Sequence, residues 1–340
     1  MKTVYLFISL LFCSVVCSAA SQKAAVQTPK PITQKVFAQL DDGVERFVQY
    51  TEPQKGKPWI VFTNGLVYEI ERWSYLDKKL IDQGYGVLHY YFRGQDLTLA
   101  RETEQFKTPL FFKTGLERKD FADELQGVLK AVGIQDKVIL VGLSYGAHVA
   151  ATFAEQHPES VDELIFMAPL VVPLEKYQPQ GVWLDWNLMW VKMMWGPYFY
   201  EYAYRQIYGT YLQDRVTADR VPQSLQDIPD VYRESLFHLV RAVRDFDLKD
   251  YKFAKLAPNS VHYLLAQEET SAAFDDQLAA FAGTDKKAQG SLIWFEDSAH
   301  AIPDSAPSEA AYYLRFLIER DPRLEQGKKY KNTSQGLKAW

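Results

Sequence analysis

The residues with the plainest chemical reading are Gly142-Leu143-Ser144-Tyr145-Gly146, a serine with a glycine two positions away on either side. Val138 to Gly142 is a short apolar run with the content of a buried strand, and Ala147 to Ala154 is small and apolar at helical spacing. The five-residue pattern alone is weak, but a strand before it and a small-residue helix after it make it specific. A strand that reverses straight into a helix brings its flanking backbone too close for a Cβ, which explains the glycines. Such a turn exposes the Ser144 hydroxyl and aims the unpaired N–H groups of the helix N-terminus at whatever the serine attacks. An alcohol is a poor nucleophile at neutral pH, so a base must take its proton during attack. Six histidines are available. His300 is the best placed, because Ser291 to Phe295 reads as a strand, Ser298-Ala299-His300 as a loop and Ser308 to Arg320 as a helix. His148, one helical turn past Ser144, is its rival, although a short rigid helix would turn it into the core. His89 and His262 fall in apolar strand runs and read as core histidines. His157 precedes a proline at a helix end and reads as structural, while His238 lies in a helical stretch, on its surface or packed against it.

The elements that must position these groups alternate along the chain. Val36 to Thr51 suits an edge hairpin. Pro58 to Thr63 is an apolar strand ending in Asn64-Gly65-Leu66, Trp73 to Gln83 has helical spacing, and Gly86 to Phe92 is a further strand closed by Arg93-Gly94. After a polar loop, Lys119 to Val132 carries Phe121, Leu125, Val128 and Leu129 on one helical side. Beyond the serine helix, Val161 to Met167 is a strand ending at Ala168-Pro169. Apolar strands alternating with helices predict a mainly parallel sheet covered on both faces.

With these landmarks in order, the chain resembles an α/β-hydrolase of the esterase and lipase type. They read VFTNGL at 61–66, YFRGQDLT at 91–98, VGLSYGAHVA at 141–150, HPESVDELIFMAP at 157–169 and FEDSAHAIP at 295–303. The resemblance implies a serine–acid–histidine triad in that chain order, with Ser144 as nucleophile and His300 as base. It takes the acid from the loop after the strand Val261 to Leu265. That loop reads Ala266-Gln267-Glu268-Glu269-Thr270, and the family's Gly-x-x-Asp spacing puts Glu269 at the acid, with Glu268 second and Asp275 or Asp276 distant. The acid holds the imidazole in one tautomer and stabilises its charged form. The oxyanion donors implied are the backbone N–H groups of Leu66 and Tyr145. Two loops depart from the family's pattern. Asn64-Gly65 stands where many members carry His-Gly, and Tyr91-Phe92-Arg93-Gly94-Gln95-Asp96-Leu97-Thr98 where many carry Asp-x-Arg-Gly-x-Gly-x-Ser; the fold is expected to survive both, with a change at the pocket mouth. Serine at the elbow argues against dehalogenases and epoxide hydrolases, which use aspartate there.

The resemblance breaks at an insertion, 170–255, between core segments 36–169 and 256–320. Trp183, Trp186, Trp190 and Met193 recur in it at helical spacing, followed by Met194, Trp195 and several tyrosines. This reads as a mainly helical cap whose rings pack it onto the core and give the pocket an adaptable apolar wall suited to a hydrophobic acyl chain. A bolder reading makes it a lid that touches a membrane surface. Its later part, Asp219 to Asp250, is polar and helical with no special role expected. The tail, 321–340, is polar and expected to be poorly ordered. At the other end, Met1-Lys2, the apolar run Val4 to Val16 and Ser18-Ala19-Ala20 read as a cleaved signal over 1–20, with lipoprotein anchoring at Cys17 ranked second. Cys13 and Cys17 are the chain's two cysteines, so a mature chain would hold no disulfide or thiolate metal site. A formal net charge of −5 over 340 residues carries no nucleic-acid footprint. The expected protein is an exported, monomeric or weakly associated serine hydrolase of small-molecule esters, for which no metal or organic cofactor is implied. A catalytically silent binding protein, a carbon–carbon hydrolase and a peptidase stand behind that reading.

Overall fold

The structure is a computed structural model that describes residues 31–173, 230–266 and 271–340. The segment read as a signal, the tryptophan- and methionine-rich part of the insertion read as a cap, and Glu268 and Glu269 lie outside the described residues. The described strands are β1 (Thr33–Gln39), β2 (Glu45–Thr51), β3 (Trp59–Thr63), β4 (Gly86–Tyr90), β5 (Val138–Leu143), β6 (Val161–Met167), β7 (Val261–Ala266), β8 (Gln289–Phe295), β9 (Lys329–Thr333) and β10 (Gly336–Ala339). They form one sheet in the order β1-β2-β4-β3-β5-β6-β7-β8-β9-β10. Strands β4 through β9 in that order are parallel, and the β1–β2 pair and β10 close the edges antiparallel. The edge hairpin, the parallel strands and the two-sided cover agree with the sequence reading.

Alternate side chains of β3 and β5 enter two separate cores, which is why neither strand alternates polar and apolar residues. Val61, Val138 and Leu140 face the first core. Helices α4 (Arg118–Val132) and α5 (Gly146–Gln156) pack there. Ile60, Phe62, Ile139, Val141 and Leu143 face the second, covered by α1 (Ser74–Asp82) and α9 (Pro307–Ile318). Helix α4 follows from its sequence: its stripe of Phe121, Leu125, Val128 and Leu129 is buried, the Glu117 N–H is held by the Asp120 carboxylate at 2.8 Å, and Gly133 ends it with a φ of 85°.

Strand order reverses between β3 and β5. The chain leaves β3 towards β4 on one side, then crosses back to lay β5 on the other. In an open parallel sheet this reversal opens a crevice beyond the carboxyl ends of the two strands, where ligands bind.

Two expectations are corrected. The stretch read as a polar loop before α4 contains α2 (Asp96–Phe106) and α3 (Phe111–Thr114). Helix α2 buries Thr98, Leu99 and Glu102, too few apolar residues to give a periodic signal. The tail is ordered as β9 and β10. Tyr330 is buried in the second core, and the Tyr313 hydroxyl donates to the Asn332 side chain at 2.7 Å. The remaining described helices are α6 (Asp230–Ala242), α7 (Ser271–Gly283) and α8 (Ile302–Ser305). Removing residues 329–340 should lower the unfolding free energy from urea titration by at least the burial of Tyr330, about 2 kcal/mol; an unchanged free energy would contradict the sheet order.

Candidate active site

Ser144 sits where β5 gives way to α5, with a φ of 50°. A non-glycine residue rarely adopts that backbone, and it persists only where its surroundings hold it. They do so here. The Ser144 N–H donates to Met167 O at 3.0 Å, and the Ser144 carbonyl accepts from the N–H groups of Ala147 and Leu170, each at 3.0 Å. Both glycines are sterically required. A Cβ on Gly142 would lie 2.9 Å from Ala150 Cβ, and one on Gly146 only 2.0 Å from Thr63 O. Thr63 Oγ1 in turn donates to Gly146 O at 2.8 Å. The serine turn is thereby seated against the end of β3.

Beyond Thr63 runs Asn64-Gly65-Leu66. The Asn64 side chain is buried and fully engaged: its amide donates to Tyr68 O, and its oxygen accepts from the Trp73 indole at 2.8 Å. It holds the loop rather than facing a substrate. Gln95 Nε2 donates to Gly65 O at 2.8 Å. Leu66 is half-buried against the first core, to which Tyr145 also belongs. The Tyr145 N–H, directly before α5, meets no acceptor among the described residues, as a helix's first N–H groups do.

His300 is buried in the loop after β8. Its carbonyl accepts from Ile302 N–H at 2.9 Å, and Ala301 between them has φ −78° and ψ 73°, an inverse γ-turn. Four residues on, the Asp304 carboxylate takes the Tyr68 hydroxyl at 3.1 Å and the Arg72 guanidinium, tying the histidine loop to the loop after β3. The parallel register aligns Thr63 with Gly142, Leu143 with Met167, Met167 with Leu264 and Ala266 with Phe295. Ser144, Leu66, Tyr145 and His300 therefore all follow carboxyl ends on one edge of the sheet, where β7 also ends, at Ala266. Strain marks that edge: Val67, Asp96, Ser144 and Ala168, each with positive φ, follow β3, β4, β5 and β6 in turn.

A family model for the alpha/beta hydrolase fold matches residues 58–277. The chain belongs to the α/β-hydrolase family. Among solved structures it is similar to an esterase from Exiguobacterium antarcticum, at 16% identity and a TM-score of 0.60, covering 84% of this chain and 100% of that one. A thermophilic esterase from Thermogutta terrifontis has 18% identity and a TM-score of 0.58, over 84% of this chain and 98% of that one. A bromoperoxidase from Bacillus anthracis has 14% identity and a TM-score of 0.59, over 84% and 100%. No curated protein matches the sequence.

The other histidines of this hydrolase are accounted for by packing. His148 is fully buried, its Nδ1–H donating to Tyr145 O at 2.6 Å, and burial pushes its pKa down to about 3. It is a neutral core residue. His89 lies against Asp77 at 2.9 Å and stacks on Phe62. His262 accepts the Ser291 N–H at Nδ1, which leaves Nε2–H for Glu163 at 3.1 Å. His157 packs on Phe153. His238 is buried in α6, stacked on Phe112 rather than at the surface. Three positioning residues escaped the sequence reading: Thr63, Gln95 and Asp304. Of these only Gln95 left a signal, as part of a loop that departs from the family's pattern.

Gly146→Ala should destabilise the hydrolase by about 3 kcal/mol or more, read from chemical unfolding, because the methyl meets backbone that cannot retreat. A second expectation concerns acid. His148 has a folded pKa below its ordinary 6.5, so the unfolded chain binds its proton first and stability falls as pH drops from about 6.5 towards 3. His148→Leu should flatten the difference between unfolding midpoints at pH 7 and pH 4.5; an unaltered difference would contradict this.

Proposed function

We propose that this α/β-hydrolase is an exported serine hydrolase that cleaves carboxylic esters with a hydrophobic acyl group through an acyl-enzyme intermediate. Ser144 attacks the carbonyl carbon while His300 takes its proton. The tetrahedral oxyanion is held by the N–H groups of Leu66 and Tyr145. Collapse breaks the bond to the alkoxide, which leaves as the alcohol with the proton from His300. Water activated by His300 then attacks the acyl-enzyme and frees the acid and Ser144. Glu269, or Glu268 beside it, orients the imidazole.

The observation that carries the reading is the strained φ of 50° at Ser144, on a strand-to-helix turn beside the reversal in strand order. A serine hydroxyl at that place, with a donor N–H beside it and a histidine loop leaving the same edge, is suited to acyl transfer. Two of the similar structures are esterases. The apolar cap sequence supports a hydrophobic acyl group, and the amino-terminal sequence supports export.

Hydrolysis of p-nitrophenyl esters from acetate to palmitate by the mature chain tests it. Turnover should be highest for acyl chains longer than acetate. Ser144→Ala and His300→Ala should each lose on the order of 10⁴-fold or more. Glu269→Gln should cost far more than Glu268→Gln; the reverse ranking moves the acid to Glu268. A chain that releases nothing from any ester, and whose Ser144 resists a fluorophosphonate, is a binding protein on a hydrolase frame.

A further inference from the structure

Helix α6 is the one α-helix among the described residues of the insertion, and it touches both sides of the proposed oxyanion site. On one side, the Tyr145 hydroxyl donates to Leu239 O at 2.8 Å. Leu239 lies in the last turn of α6, where carbonyls have no partner within the helix. The phenol caps that end, and burial keeps it protonated, well above its ordinary pKa. Its ring is fixed along its length, stacked on Phe92 at 5.4 Å and edge-on to His148 at 4.4 Å. Tyr145 is thus bolted to α6 by its side chain while its backbone N–H faces the site.

On the other side, Ser235 Oγ donates to Gly94 O at 2.6 Å, and both residues lie in a tight contact. Gly94 has a φ of 88°, and a Cβ there would lie 2.8 Å from Ser235 Oγ and 3.1 Å from a Leu239 methyl. The next residue, Gln95, holds the Gly65 carbonyl, one peptide from Leu66. One short stretch of α6, Ser235 to Leu239, therefore bonds the turn that carries Tyr145 and the loop that braces Leu66.

Resting on the esterase reading above, we propose that α6 sets the spacing of the two oxyanion donors, with Tyr145 (through its hydroxyl) and Ser235 as positioning residues. The insertion then contributes to turnover as well as to the pocket wall. Donors aimed at the developing oxyanion act on the transition state more than on the bound ester. A small displacement should therefore lower kcat and spare KM.

Tyr145→Phe keeps the ring and removes only the hydroxyl; Ser235→Ala removes the other bond and carries the same test should Tyr145→Phe not fold. Each variant is compared with wild type on the preferred p-nitrophenyl ester and for inhibition by an alkylboronic acid, which forms a tetrahedral adduct on a reactive serine. The expected result is a kcat lower by on the order of tenfold, less than the outright loss of a donor. KM should stay within about twofold, and boronate affinity should fall in proportion to kcat. Variants that match wild type in kcat and boronate affinity, or that lose melting temperature alone, overturn the proposal and leave the esterase reading standing. A wild type that neither turns over esters nor labels at Ser144 overturns both.

Discussion

The site depends on one close approach, that of Gly146 to the carbonyl of Thr63. Helix α5 can begin where it does only because a residue without a side chain faces the end of β3, and the Thr63 hydroxyl bridges the same gap from the other direction. That contact fixes the serine turn against the neighbouring strand. The loop after β3 therefore emerges beside the first turn of α5. The strained backbone at Ser144 follows as a consequence: the chain has no relaxed path from β5 into a helix seated so tightly.

Behind that contact lies a buried charge network that stiffens the loop after β4. Glu124 in α4 is buried and accepts the Arg93 N–H at 2.9 Å, with Arg46 Nε 2.9 Å away. Burial pushes its carboxyl above the usual range, and Arg46 opposes that push. Glu102 in α2 takes the Arg93 guanidinium at 2.6 Å and the Leu110 N–H at 2.9 Å. Such groups are costly to desolvate, and one left half-satisfied would be worse than an apolar core. Held on several sides, Arg93 fixes the residues that follow it, and through Gln95 it fixes Gly65. The loop that departs from the family's pattern is thus not loose. Asp96 and Thr98 stand where the family has its second glycine and serine, and Gln95 between Gly94 and Asp96 reaches across to the neighbouring loop.

The frame was legible in the sequence because its strands are buried on both faces and read as continuous apolar runs, as β3 and β5 do. The serine turn was legible because its glycines are demanded by sterics that leave no alternative. Helix α2 was hidden since its buried residue Glu102 is a charge, which a search for apolar spacing discards. The tail was misread for a related reason: β9 and β10 are lysine-rich edge strands, and among their residues only Tyr330 is buried. Thr63, Gln95 and Asp304 act through bonds to residues far along the chain. The same physics left α6 looking featureless, for Ser235 and Tyr145 are ordinary residues until the fold brings them together. Glu268 and Glu269 remain a sequence reading.

The position of β9 has a consequence for how the molecule is made. It pairs in parallel with β8 through residues 329–332 and follows it in the chain by some thirty residues. Until those residues have left the ribosome, β8 is the sheet's open edge, unpaired along one side and prone to the wrong partner. The serine turn and the strands that seat it, β3 and β5, lie before residue 170 and precede the carboxyl half in synthesis, while Ser235, Leu239 and Asp304 brace them from later in the chain. The loop that carries His300 follows β8, which gains its second neighbour in the sheet only when β9 is in place. Ser144 and His300 therefore reach the same sheet edge from segments made well apart in time, and the serine turn is synthesised long before the loop that carries His300.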